Sequence, residues 1–556
     1  MPPRVLTSAV LPRQRGGAVL TAGPAPSGGR GRGPWTTALA PALLALGLGL
    51  WGLTRQGSMW RDESVTYQVA HRGTRQIGAL LGQVDAVHGV YYLLMHALFR
   101  VWDGGLVALR LPSVVATAAA AALVALTGRR LAGHRTGLAA GAVFALAPLV
   151  QMYAQEGRSY ASVAALVALA TYLLVRGLDG GGRWVWAGYA GAAAAAGWLH
   201  EFAVPALVAH GITVLTGGVP RAVRRRWAFA AGAAVLLVAP LAVFSMGQSD
   251  QVSWIGGPSA VQWADIVAVT ALGTGCAYAL SRTEGPGARA TGRPVSPARL
   301  GLPLLIAPTA LLLAAAVYRP MYVDRYVLYS YAGLALLLGQ ALDRLLAYRP
   351  VRGTARSRRW KRYGIRAGVA LAVLSLLPVS LEMRTPDSRK DDVAAVARTV
   401  RSLADQDGAD SVLFMPARRR EWRMSYPGAY RGLRDLALRR DPVRSRTLEG
   451  VELPSKAIRQ HVLGARRIGA LTDPPDQPLD AVPQEAVKRE ALRRFFVECA
   501  RVPVKGAQVV LYAHRGDCPS GLPHTGPGPL SGPGRAGPAH GGVGEPGGTV
   551  RARTEP

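Results

Sequence analysis

The chain is poor in acid, in lysine and in cysteine. Only 33 of its 556 residues are Asp or Glu against 65 Lys plus Arg, which sets a formal net charge of +32. Five of those basic residues are lysines and the rest arginine. The basic residues fall in short clusters between apolar runs and not along one soluble face, so membrane topology accounts for them and nucleic-acid binding does not. Three cysteines, Cys276, Cys499 and Cys518, match no thiolate metal spacing. Cys499 and Cys518 are close enough in a C-terminal segment for a disulfide, and two reduced thiols fit equally well. Acidic residues are almost missing from the apolar runs, with Asp265 near one end as the main exception, and this argues against an ion-coupled transporter.

Half of the residues are hydrophobic. Apolar windows long enough to cross hydrocarbon recur at 35–53, 106–127, 136–153, 160–176, 184–199, 202–217, 227–246, 263–281, 299–318, 326–346 and 366–382. The fold class expected is therefore mainly α, a polytopic membrane protein of about eleven helices. Val90 to Trp102 is too short to span and carries Tyr91 and Tyr92 at one end and Trp102 at the other, the pattern of an interfacial aromatic belt. With the N-terminus inside, the basic clusters at 129–135, 176–183, 221–226, 282–299 and 349–366 are cytoplasmic, and the outer loops after the first keep only Arg158, Arg319 and Arg325. The positive-inside rule then orients the chain. Four regions follow: a disordered cytoplasmic segment 1–34, a membrane domain 35–382, an extracytoplasmic α/β domain 383–518 and a disordered tail 519–556. The α/β reading rests on a helical pattern over 391–403, strand patterns in SVLFMP, RIGALTD, FFVECARV and AQVVLYAHR, and a helix over 486–496.

In this topology the polar residues of MWRDESVTY (Met59 to Tyr67), His88, QEGR (Gln155 to Arg158), His200-Glu201 and YVDR (Tyr322 to Arg325) share the outer face. Such a cluster suits a substrate with a lipid tail and a polar head, such as a polyprenyl-phosphate sugar. Sugar transfer needs a base to take the proton of an acceptor hydroxyl, and fixed positive charge on the departing phosphate, which Arg supplies in forked geometry. Asp62 or Glu63 with Arg158 and Arg325 meet that need. HEFAV (His200 to Val204) has Val204 where a zinc protease has its second His, so that reading fails. Asp62-Glu63-Ser64 also suits the first turn of a helix, and Arg158 also suits a headgroup anchor.

WRDESVTYQVAHRG, DAVHGVYYLLMHALFRVW, ALRLPSVVA, QEGRSYA and YVDRYVLYSYAGLALLL, in this order over roughly 35–345, resemble the GT-C superfamily of membrane glycosyltransferases. More narrowly, the chain is similar to the bacterial protein O-mannosyltransferase-like branch, glycosyltransferase family 39. The resemblance implies a polyprenyl-phosphate-linked sugar donor, most plausibly carrying mannose, and an unidentified cell-envelope acceptor on the outer face of the plasma membrane. It implies Asp62 as catalytic base with Glu63 as companion acid, Arg158 and Arg325 on the donor phosphate, and Asp85, His88, Tyr91, Glu156 and Tyr160 near the substrate. The loop before the interfacial helix reads DAVHGVYY (Asp85 to Tyr92) and lacks the two prolines of the family pattern. The chemistry requires no cofactor and no metal site is expected, although a divalent cation is compatible with it; nucleic acid is not an expected partner. The alternative from another class is a lipid transporter or flippase, which has no use for a base at Asp62.

Overall fold

The computed structural model describes residues 33–55, 57–248, 256–283, 295–318, 320–348, 354–475, 477 and 479–519. Residues 1–32 and 520–556 of the two tails and the basic positions Arg289, Arg293, Arg319, Arg349 and Arg352 lie outside them, while Pro34 opens α1. The helical domain comprises α1 (Pro34–Leu50), α2 (Arg61–Ala70), α3 (Thr74–Leu81), α4 (Gly89–Val101), α5 (Gly105–Ala132), α6 (His134–Leu146), α7 (Pro148–Ala154), α8 (Tyr160–Leu178), α9 (Arg183–Leu199), α10 (Pro205–Thr216), α11 (Arg221–Met246), α12 (Ala260–Thr283), α13 (Pro297–Ala315), α14 (Tyr331–Ala347), α15 (Ala355–Leu374) and α16 (Leu377–Glu382).

Among the described residues six helical stretches are long and apolar enough to cross a membrane, or seven if the bent pair α6 and α7 is one span. This is fewer than the eleven apolar windows, although each window falls on helix. The reason is length: α1, α9 and α14 have 17 residues each, about 25 Å of helix against roughly 30 Å of hydrocarbon. The break between α6 and α7 has a local cause. Ala147 precedes Pro148 and takes an extended conformation (φ −60°, ψ 125°), as a residue before proline is pushed to do, and the chain turns by 64° there. The turn sends α7 into the QEGRSYA loop.

Small residues let the helix backbones approach. A Cβ on Gly333 would lie 2.4 Å from the Gly301 carbonyl oxygen and 2.8 Å from the Leu305 nitrogen, and one on Gly339 would lie 2.5 Å from the Ala140 nitrogen. These contacts clamp α14 against α13 and α6.

The C-terminal region contains α17 (Val393–Asp405), α18 (Glu421–Ser425), α19 (Pro442–Ser445), α20 (Ser455–Leu463) and α21 (Pro483–Phe495), with strands β1 (Ser411–Met415), β2 (Arg434–Asp435), β3 (Leu438–Arg440), β4 (Val451–Glu452), β5 (Arg467–Thr472), β6 (Val497–Val504) and β7 (Ala507–Ala513). The main sheet runs β2-β1-β5-β7-β6, parallel among β2, β1 and β5 and antiparallel at β7 and β6. Alternation along β1 serves two cores: Val412 and Phe414 pack with α17 through Val396 and Val400, and Leu413 and Met415 with α20 and α21 through Ile458, Val462 and Leu492. Cys499 and Cys518 form a disulfide.

Polar contacts join the two regions. Arg384 donates to the carbonyls of Leu48 (2.7 Å) and Trp51 (2.9 Å) and to Gln151 Oε1 (3.1 Å). The Ala394 amide donates to Ser58 Oγ (2.9 Å), and the hydroxyls of Ser64 and Ser425 lie 2.5 Å apart, which seats α18 on α2.

Gly333→Ala tests the helix clamp. Its Cβ meets backbone on two sides, so the variant should lose about 1–3 kcal/mol of stability. Gly364→Ala, whose Cβ would meet nothing within 4 Å, should melt like the wild type in the same detergent.

Candidate functional site

The site begins at the turn into α2, where Trp60 is extended and the next residues are helical. Adjacent helical residues point about 100° apart, so Asp62 and Glu63 face different surroundings. Glu63 turns inward. It is fully buried and takes two charge-assisted bonds from Arg110 of α5, Nε to Oε1 at 2.8 Å and Nη2 to Oε2 at 2.7 Å. It also accepts from the Gly157 amide (2.9 Å) and from the Trp60 amide (3.4 Å) at its own helix start. Burial raises the Glu63 pKa, but Arg110, Arg389 and the Gly157 amide outweigh it and hold it below the usual carboxylate value. Its carboxylate oxygens are thus occupied by protein donors on every side.

Asp62 turns to the open side. Its Oδ2 lies 3.4 Å from Arg325 and 3.9 Å from Arg158, and its Oδ1 lies 3.8 Å from Arg61. These are ion pairs at longer range than the 2.7 Å contact of Glu63. Burial raises the Asp62 pKa; Arg158, Arg325 and Arg61 overcome that and keep the carboxylate ionised.

Both arginines are held from behind. Arg158 Nη1 donates to Tyr92 Oη (3.1 Å) and Thr66 Oγ1 (3.4 Å), and Tyr92 in turn donates to Asp85 Oδ2 at 2.5 Å. Asp85 sits in the left-handed region (φ 65°), an uncommon conformation for a side chain other than glycine. Arg325 Nε donates to Tyr160 Oη (3.1 Å), and its guanidinium lies 5.6–5.7 Å from the ring centres of Trp60, Tyr160 and Tyr326, within cation–π range. Asp324 accepts from the Arg325 amide (2.8 Å) and from Tyr153 Oη (3.0 Å). His88 and His200 close one side, with ring centres 5.5 Å apart. Burial, aided by neighbouring positive charge, keeps both imidazoles neutral, well below the usual histidine value. Such rings offer a donor and an acceptor to polar hydroxyls.

Glu156 stands behind this cluster. It is 1% exposed, neither carboxyl oxygen has a hydrogen-bond partner among the described residues, and Arg389 approaches to 3.7 Å. Burial, only partly offset by Arg389 and Arg325, pushes its pKa up to about 8. From the C-terminal region, Glu421 is buried above α2, and its pKa also rises to about 8, through burial and then Glu449, against the opposing effect of Arg61.

The structure thus brings together Asp62, Arg158, Arg325, Asp85, His88, Glu156 and Tyr160. Tyr91 is buried in the same core cluster as Tyr160, Met59 and Met95, its hydroxyl without a hydrogen-bond partner among the described residues, and the hydroxyl that bonds Arg158 belongs to Tyr92. Tyr91 and Tyr92 are not an aromatic belt, being 2% and 0% exposed, because α4 packs on protein on the face that carries them; Trp102 is 44% exposed. Arg110, Arg389, Glu421 and the ring of Tyr326 were not anticipated. Arg110 had a legible signal, an arginine inside an apolar helix, whereas Arg389 and Glu421 lie in soluble-type sequence far along the chain. His200 and Glu201 part company: the Ser245 hydroxyl donates to Glu201 at 2.6 Å, away from His88. Among the described residues no group of three or more His, Cys, Asp or Glu side chains could hold a metal ion.

Next to Asp324 a groove of about 910 Å³ runs between α6, α12, α14 and α15. Leu149, Ile266, Leu334, Leu338, Leu342 and Val369 line its apolar length, with Tyr322, Asp324, Gln262 and Asp265 among its few polar residues. A polar, arginine-rich chamber beside an apolar slot can receive an amphiphile with an anionic head.

This architecture is the GT-C fold. The family model for dolichyl-phosphate-mannose-protein mannosyltransferases matches residues 89–244. The crystal structure of ArnT from Cupriavidus metallidurans bound to undecaprenyl phosphate aligns with a TM-score of 0.51 at 13% identity, covering 86% of this chain and 98% of that one. The apo state of the same enzyme aligns with a TM-score of 0.56 at 12% identity, over 85% and 97% of the two chains. No curated protein sequence matches the chain.

Two outcomes test the electrostatics. Glu63→Gln leaves Arg110 buried without its counter-charge, so it should cost about 3–5 kcal/mol of stability, read as a lowered melting temperature with activity falling in step with folded protein. Glu156 and Glu421 have pKa values raised from 4.5 to about 8. The folded chain therefore keeps protons that the unfolded chain releases above 4.5, and stability should fall as pH rises through about 8. Melts from pH 6 to 9 should show this loss in the wild type and a flatter profile in Glu156→Gln/Glu421→Gln; an unchanged slope in the double variant would refute the assignment.

Proposed function

We propose that the chain is a polyprenyl-phosphate-dependent glycosyltransferase that moves a sugar, most plausibly mannose, to a hydroxyl of a cell-envelope acceptor at the outer face of the membrane, with inversion at the anomeric carbon. The observation that carries this reading is Asp62, a buried carboxylate between Arg158 and Arg325, with an apolar groove lined by Asp324, the neighbour of Arg325. The groove suits the isoprenoid tail and the two arginines suit the phosphate. The Cys499–Cys518 bond favours an oxidising, outer compartment for the C-terminal region.

The ion pairs bear on the chemistry. Asp62 between two guanidinium groups is a weak base. A donor phosphate competes for those groups, and each contact it takes relieves Asp62 of positive charge and raises its proton affinity. The carboxylate then accepts the acceptor's hydroxyl proton as that oxygen bonds to the anomeric carbon, the bond from that carbon to the phosphate oxygen breaks, and Arg158 and Arg325 take up the charge on the departing lipid phosphate. His88 and His200, neutral and aimed at the same chamber, suit the sugar hydroxyls. A flippase would need the groove and the arginines but no base.

Asp62→Asn keeps shape and removes the proton acceptor, so transfer from a radiolabelled polyprenyl-phosphate sugar in membranes should fall about 10²- to 10⁴-fold. Donor binding should persist or tighten, since the arginines lose their competitor. Full transfer by this variant would eliminate Asp62 as the base.

A further inference from the structure

A second pocket lies outside this chamber, on the C-terminal domain. It has a volume of about 500 Å³, and Arg423, Arg431 and Arg434 line it together with Tyr430, Gly428 and Gly432. No acidic residue lines it. We propose that this pocket binds a phosphate or carboxylate group of the acceptor, so that the substrate class is an anionic glycan of the envelope; this identification of the ligand as acceptor rests on the glycosyltransferase reading.

Four observations bear on the pocket. Arg431 and Arg434 are exposed and form no ion pair among the described residues, so both guanidinium groups are available to an anion. Arg423 has Asp435 at 3.7 Å, but that carboxylate is engaged more closely by Arg420 at 2.7 Å. Tyr430 is 2% exposed and its hydroxyl has no hydrogen-bond partner among the described residues, a costly state for a buried donor that a bound anion would relieve. Finally, a Cβ on Gly428 or Gly432 would meet nothing within 4 Å, so the pocket is open where these glycines line it. Forked guanidinium groups with a phenol donor match phosphate and carboxylate oxygens, and the volume lies within the range of small-ligand sites.

Placement favours the acceptor over other anions. Arg423 belongs to α18, the helix whose Ser425 bonds Ser64 on α2 two residues from Asp62, and Tyr430 closes the turn Pro427–Tyr430 that follows. An anionic group held here tethers its molecule to the domain whose α18 packs on the helix of Asp62, while the donor phosphate occupies Arg158 and Arg325. The tether raises the effective concentration of the attacking hydroxyl.

The test uses the full chain in phosphatidylcholine nanodiscs, titrated with a hexose 6-phosphate, glucuronate and the neutral hexose. Both anions should bind and the neutral sugar should bind at least tenfold more weakly. Arg431→Glu/Arg434→Glu should lower anion affinity tenfold or more, and Gly428→Trp, which fills the pocket without backbone strain, should do the same at an unchanged melting temperature. Equal binding of charged and neutral sugars, or wild-type affinity in both pocket variants, overturns the proposal. Adding phosphatidylglycerol to the nanodiscs should leave hexose-phosphate binding unchanged; its loss would assign the pocket to a lipid headgroup and overturn the acceptor assignment. Donor turnover is measured in parallel. Anion binding without any turnover would refute the glycosyltransferase reading while the pocket stands, and turnover without anion binding would refute the pocket.

Discussion

The buried pair of Glu63 and Arg110 is the constraint on which the site depends. Neither side chain is exposed, and the guanidinium also donates to the carbonyls of Leu53 (2.8 Å) and Ser58 (2.9 Å). One arginine therefore ties the chain leaving α1, the first turn of α2 and its own helix α5 into a single unit, while Glu63 reaches the Gly157 amide and adds the loop after α7. Removing either partner strands a charge in a medium that cannot solvate it, so the arrangement is held far more firmly than by a surface ion pair. With Glu63 locked, the helical angle between neighbours leaves Asp62 one direction to face.

What it faces is an excess of positive charge balanced by few acids. Arg61, Arg158 and Arg325 surround a single ionised carboxylate, whereas burial favours the protonated form of Glu156 and Glu421 and the neutral form of His88 and His200. Such a chamber has a deficit of negative charge at neutral pH and is suited to a ligand that brings its own. An apolar slot lies beside Asp324, the neighbour of Arg325.

The C-terminal domain is part of this construction. Arg389 from the linker donates to the Gln155 carbonyl at 2.5 Å and approaches Glu156, Ser425 bonds Ser64, and Arg72, just after α2, donates to the Thr447 carbonyl at 3.0 Å. The sheet that carries these residues is built on its own two cores, and it presents short polar elements toward the membrane domain instead of an apolar face. A polar interface of this kind keeps its charges within reach of the chamber.

Much of this was legible in one dimension. Apolar periodicity located the helices, the QEGR, RDES and YVDR stretches marked where polar residues gather at their ends, and alternation in SVLFMP and AQVVLYAHR announced the sheet, because burial by lipid or by protein leaves its pattern in hydropathy. Asp62, Arg158 and Arg325 could be named for the same reason: charged residues at the ends of apolar runs are few, and each needs an explanation. Tertiary structure alone decided which of two adjacent acids faces the chamber, that Tyr92 and not Tyr91 reaches Arg158, that Arg110 is the partner of Glu63 across 47 positions, and that Glu421 and Arg389 come over the site from the far end of the chain. These depend on side-chain direction and on contacts between segments distant in sequence, and a linear pattern of polarity holds no information about either until packing has chosen which faces meet.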